Sequence, residues 1–166
     1  MIKEFHFMVA GISSSPFRTN AAKLKDRSAK QTVFLVPEPD NKYDTHAILV
    51  MASAPVGRLP IGYVPARRFC ANCDPYREKR GHKAYDDNKG LALRQCPECE
   101  RELSPPLTEQ ILKVLLQAGT TQQCQATFVG DVPGKENIGA AIHCRLQTAP
   151  SYNLDPKYHH TDDENK

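Results

Sequence analysis

No run of apolar residues in this chain approaches the roughly 20 that a membrane-spanning helix requires, so no helix is expected to cross a membrane. The first residues, Met1 to His6, carry neither the hydrophobic stretch nor the cleavage pattern of a secretory signal. A cytoplasmic protein is expected, or a nuclear one if the source is eukaryotic. Charge of one sign is also scarce. A net charge of +3 at pH 7 is too small for a whole-molecule electrostatic attraction to nucleic acid, so any such attraction must come from local clusters. Catalytic signatures are missing too. There is no phosphate-binding G-x-x-x-x-G-K-[ST] loop, no H-E-x-x-H, no G-x-S-x-G, and no group of acidic residues around an open metal position. No enzyme is expected.

What is present is an ordinary globular composition: 166 residues, 40% apolar and 25% charged. That suits one domain with one insertion and a substantial core. Four of the six cysteines form two C-x-x-C pairs, a metal arrangement more than a disulfide framework. Cys124 and Cys144 stand apart in strand-like segments and read as small buried apolar residues.

Residues 35–51 organise the chain. Two apolar, β-branched runs, residues 33–36 and 47–51, flank a polar loop. Pro37 and Pro39 stop the first run, because neither has an amide to continue a ladder. Asp40, Asn41 and Asp44 are turn formers whose short side chains accept from nearby amides. The expectation is strand, structured turn, strand. Tyr43 and Asp44 place an aromatic face beside a carboxylate in that turn, and they read either as ligand contacts or as a packed ring and an amide cap.

Elsewhere residues 2–12 alternate as a strand, with Phe5, Phe7 and Val9 on one face and Glu4, His6 and Met8 on the other. Residues 13–31 form a polar connection with a short helix at 21–29. Residues 52–59 read as a turn and 61–64 as a fourth strand ended by Pro65. After a charged insertion, Ser104 with Pro105 and Pro106 opens a helix. Its stripe is Leu107, Ile111, Leu112, Leu115 and Leu116, and Gly119 marks its end. Residues 124–129 and 138–146 read as the last two strands, and the polar residues 149–166 as a tail. The order β-β-β-β-insert-α-β-β, with short strands, predicts a mainly β protein: a small OB-like or SH3-like barrel of about six strands, built from residues 1–66 and 103–148.

Within the insertion, residues 67–102, Cys70 and Cys73 face Cys96 and Cys99 with residues 74–95 between them. Two such knuckles direct four thiolates at one tetrahedral centre, although the spacing is slightly longer than the usual 15–20 or so. One structural zinc is expected. Four sulfur ligands leave no open position for catalysis, and a loop this polar has little core, so the metal would supply its folding free energy. Between the knuckles Tyr76 is interleaved with Arg77, Lys79, Arg80 and Lys83, which reads equally as a phosphate-contacting finger or as a solvated tip.

Glu38-Pro39-Asp40-Asn41-Lys42-Tyr43-Asp44-Thr45-His46-Ala47-Ile48, followed by Ile61-Gly62-Tyr63-Val64, resembles the HIRAN domain. That family has a pattern close to E-P-x-N-x-Y-D-x-N-A-I, then a strand of the type (I/V)-G-(Y/H)-(L/V). The likeness extends to Val9-Ala10-Gly11 and, loosely, to the helix and last two strands. It covers about residues 3–147 apart from the insertion. It implies a modified OB-like barrel that binds single-stranded DNA, at a free 3′ end in studied members. The family occurs fused to helicases and nucleases and as small stand-alone proteins, so a helicase or nuclease partner is implied, without motor activity here. Carried over by position, Tyr43 stacks on a terminal base or sugar and Asp44 accepts from the 3′-hydroxyl. His46, Tyr63, Arg67 and Arg68 complete the implied nucleic-acid set. His46 departs from the family's Asn, Pro65 and Ala66 precede the two arginines, and aromatic residues that some members carry near the first strand's glycine have no clear counterpart, Phe17 and Arg18 being the candidate substitutes. The competing function is a protein-interaction or adaptor module that docks through its zinc insertion in a DNA repair or replication machine.

Overall fold

The protein is described from a computed structural model, which covers residues 1–25, 30–55, 57–68, 82–83, 95, 100–129 and 138–150. Its strands are β1 (Ile2–Met8), β2 (Gln31–Pro37), β3 (Ile48–Ala54), β4 (Gly57–Tyr63), β7 (Thr121–Val129) and β8 (Gly139–Gln147), together with a short pair, β5 (Arg67–Arg68) and β6 (His82–Lys83). Helix α1 spans Phe17–Lys25 and α2 spans Leu107–Leu115. The six long strands form one antiparallel sheet in the order β1-β8-β7-β2-β3-β4. The mainly β expectation holds. Among the described residues no helix is long and apolar enough to cross a membrane.

Period-two patterning explains which face is buried. In β8, Ala140, Ile142, Cys144 and Leu146 point inward while His143, Arg145 and Gln147 are exposed. Phe7, Val33, Leu35, Ile48, Val50, Ile61, Cys124 and Ala126 complete the inner face, closed over by Ala21 and Leu24 of α1 and by Leu107, Ile111 and Val114 of α2. Burying one such aliphatic side chain contributes about 1.5–3 kcal/mol. Cys124 and Cys144 are directly opposed on β7 and β8 and both are buried. The neighbouring Cys124 thiol, and then burial, push the Cys144 thiol far above its usual pKa, so both act as apolar core residues.

Several elements differ from the sequence expectation, and β1 ends at Met8 rather than at residue 12. Helix α1 begins at Phe17 rather than near residue 21, because Asn20 reaches across to the Pro60 carbonyl at 2.8 Å and Ala21 and Leu24 pack inward. Residues 52–59, expected to turn, are mostly strand: Ala52, Ser53 and Ala54 pair with Leu59, Arg58 and Gly57. Pro60 is tolerated in β4 because this is an outer strand with a register shift opposite Val50 and Met51. The N-cap of α2 is Pro106 with no side-chain cap, not Ser104. In the helix stripe Val114 is buried, whereas Leu116 is 76% exposed. Thr120 closes the far end of α2, its hydroxyl donating to the carbonyls of Val114 and Gln117.

Where β2 and β7 splay apart beyond the Val33–Cys124 pair, the Gln122 side chain substitutes for the ladder. It accepts from the Leu35 amide at 2.9 Å and donates to the Leu35 carbonyl at 3.1 Å. At the sheet's two outer strands, Ala10, just past β1, bridges Tyr63 at the end of β4. The two residues exchange both backbone hydrogen bonds, at 2.8 and 2.9 Å. A six-stranded sheet whose outer strands meet in this way must curl. Gly62 makes the approach possible. Its φ is +145°, and a Cβ there would lie 2.5 Å from the Ala10 carbonyl oxygen and would overlap the Val9 side chain. Gly62→Ala is expected to destabilise the fold by about 1–3 kcal/mol from backbone conformation alone, with the clash adding to that. Denaturant unfolding of the variant checks it, and unchanged stability would show that the approach is not tight.

Candidate functional site

The loop between β2 and β3 builds the site, and Asn41 builds the loop. The Asn41 carboxamide oxygen accepts from the amides of Tyr43 at 2.9 Å and Asp44 at 3.1 Å, while its NH2 donates to Glu38 Oε1 at 3.1 Å. Its own amide donates to the Glu38 carbonyl. This is the short-side-chain turn chemistry expected from the sequence. Asp44 extends it: Oδ1 accepts from the His46 amide at 2.8 Å, and its carbonyl accepts from the Ala47 amide. The Glu38 amide then bonds the Ala47 carbonyl, which closes the base of the loop.

On that frame Tyr43 is 98% exposed. An aromatic ring carried this far into solvent contributes nothing to the core, and the reading in which it packs over the sheet does not hold. Asp44 does act as an amide cap, and its carboxylate lies 3.7 Å from His46 Nδ1 with the side chain 29% exposed.

Tyr43 and Tyr63 line one open groove of about 490 Å³ with Pro37, Glu38, Pro39, Asp40, Asn41 and Lys42. Asp44 and His46 stand beside that groove rather than in its lining. Tyr63 is fixed from two directions. Its ring packs edge-on to Phe17, with centroids 5.6 Å apart. Its hydroxyl interacts with Glu38 and Asn41. Burial first, and then the hydrogen bond to the Glu38 carboxylate and its charge, hold the Tyr63 phenol above its usual pKa, against a smaller lowering by Asn41. Phe17 also lies close to Gly11. The partnership of Glu38 and Phe17 with Tyr63 was missed, because it depends on loop, helix and strand meeting in space.

Comparison with family models, curated proteins and solved structures returns no match. The site therefore stands on its own geometry.

Arg67 and Arg68 follow the groove-bordering strand as β5, and their backbone pairs with His82 and Lys83 of β6. The expected zinc ligands Cys70, Cys73, Cys96 and Cys99 lie outside the described residues, as do the finger residues 76–80. The described residues on either side are joined: β5 and β6 flank the first C-x-x-C pair, and an isolated bridge joins Gln95 to Glu102 across the second.

The groove's lining carries two carboxylates, Glu38 and Asp40, against one cation, Lys42. Such a lining repels a continuous phosphate backbone and accepts hydrogen bonds from hydroxyls. The raised Tyr63 pKa has a direct consequence. Stability from the neutral phenol is present below pH 10 and is lost as pH rises through the folded-state value. In an NMR titration of tyrosine ring carbons, Glu38→Gln is expected to move the Tyr63 midpoint downward but only part of the way, because burial remains. An unmoved midpoint would exclude the Glu38 contact.

Proposed function

We propose that this chain is a HIRAN-like, non-catalytic module that binds single-stranded DNA at a free 3′ end. Its sheet would be a small OB-like or SH3-like barrel closed at the Ala10–Tyr63 bridge. The observation that carries this reading is Tyr43: a fully exposed aromatic ring on a loop whose backbone is tied down by Asn41. Exposure alone is common for a surface tyrosine. Exposure on a pre-organised loop, next to a second tyrosine across an open groove, is the arrangement a base-stacking platform needs, since little ordering remains to be done on binding.

In this reading Tyr43 stacks on the terminal nucleotide and Tyr63 forms the groove wall. Asp44, whose Oδ1 already caps an amide, accepts from the 3′-hydroxyl through its other oxygen, with His46 alongside. The acidic lining disfavours a phosphate at the end, so a free hydroxyl is selected. Arg67 and Arg68 would meet the phosphates further along the strand. The Cys70, Cys73, Cys96 and Cys99 set is a closed four-thiolate donor set suited to one structural zinc, which would order the insertion beside the groove.

Fluorescence anisotropy with a short oligonucleotide tests the DNA reading. Tyr43→Ala is expected to weaken binding by about 1–3 kcal/mol, the worth of one stacked base. Wild type is expected to prefer a 3′-hydroxyl over a 3′-phosphate, and Asp44→Asn to narrow that preference while keeping the amide cap. Affinity should fall steeply with salt. Equal affinity for both ends in wild type would remove end recognition, and no binding would favour the adaptor function. Elemental analysis is expected to give one zinc per chain from the cysteine set, with Cys96→Ser losing it and unfolding the insertion.

A further inference from the structure

On the outer face of the sheet, well away from the Tyr43 loop in sequence, three metal-ligating side chains converge. Glu4 and His6 project outward from β1, and His143 projects outward from β8. The register places His6 directly opposite His143 and Glu4 opposite Arg145. Backbone bonding fixes which kind of pair this is. The Val9 amide donates to the Ala140 carbonyl and the Thr148 amide to the Met1 carbonyl, so the hydrogen-bonded pairs fall at odd positions of β1. His6 and His143 therefore form a non-hydrogen-bonded pair, where opposed side chains approach most closely. Their rings stack with centroids 4.3 Å apart and planes 5° from parallel.

We infer that His6, His143 and Glu4 form a binding site for a borderline divalent cation, with zinc as the occupant. One ligand atom from each residue lies within 4.8 Å of the other two. Two nitrogens sharing a zinc at about 2.0–2.1 Å each stand roughly 3.3 Å apart. Imidazole lone pairs lie in the ring plane, so the two exposed rings must rotate out of their parallel stack to converge on one ion. The carboxylate is already divided for this role. Glu4 Oε1 is held by Arg145 Nε at 3.1 Å, while Oε2 faces His143 Nε2 at 3.8 Å. Arg145 orients the carboxylate as an outer partner does in metal sites.

The surroundings choose the metal. Both histidines line one shallow cavity of about 270 Å³. The site's single carboxylate, already paired with Arg145, offers too few oxygens for a hard cation such as Mg2+ or Ca2+. Zinc, Ni2+ and Cu2+ bond strongly to imidazole. Three protein ligands leave a fourth position open, so a bound zinc would accept water or an external donor there, unlike the closed cysteine set.

The test is zinc titration of the full-length chain without an affinity tag, followed by calorimetry and by imidazole NMR shifts. Wild type is expected to bind one more equivalent of zinc than His6→Ala or His143→Ala, with both imidazoles shifting as it binds. Glu4→Gln should weaken that equivalent without abolishing it, and Mg2+ should not compete. The readout is a difference between wild type and outer-face variants, so it is independent of whether the cysteine set holds zinc. Equal stoichiometry in wild type and both variants, or unshifted imidazoles, would overturn the site.

Discussion

The bond on which most of the structure depends is the double hydrogen bond between Ala10 and Tyr63. It joins the two outer strands of a six-stranded sheet, so the sheet must bend around its core. The bend requires Gly62 to lie against Val9 and Ala10, where no side chain fits. Tyr63 then does three things at once. Its backbone joins Ala10, its ring meets Phe17 edge-on, and its hydroxyl interacts with Glu38 and Asn41. The candidate groove is therefore an outgrowth of the way the outer strands meet, and a change that loosened that bridge would reach the loop through Tyr63.

Within the loop, polar side chains divide the labour in a way that frees one residue. Asn41 satisfies two amides and pins Glu38, and Asp44 satisfies a third amide. Tyr43 contributes its amide to this frame and nothing from its ring. Side-chain capping of this kind takes over where the β2–β3 ladder ends, just beyond the Pro37–Ile48 pair and the Glu38–Ala47 hydrogen bond. The result is a rigid turn with an unburied aromatic group. The proposed stacking on an unpaired nucleotide rests on that exposure.

The outer face follows different rules. There Glu4, His6, His143 and Arg145 form a polar cluster over an apolar sheet, and strand register rather than loop chemistry brings them together. The cluster and the groove are built by separate elements, so the two proposals stand or fall separately.

Much was legible from the sequence alone, and the reason is local. Alternation in residues 138–146 gives the inward Ala140, Ile142 and Cys144 because side chains on a strand have a period of two. The turn at Asn41 and Asp44 was legible because such capping spans only two or three residues. Helix α2 was legible from its apolar stripe, though Leu116 was misassigned because the last turn runs past the core it covers. What only the tertiary structure decided involves residues far apart in the chain. The earlier start of α1 depends on Asn20 reaching Pro60, and the continuation of β4 through Pro60 depends on its outer position in the sheet. The pairing of Tyr63 with Phe17 and Glu38 depends on the meeting of the outer strands, and the approach of His6 to His143 on strand register. Sequence patterns set what each segment prefers over one or two turns of chain. Which distant segments meet is decided by burying all the apolar faces together, and both candidate sites lie at such meetings.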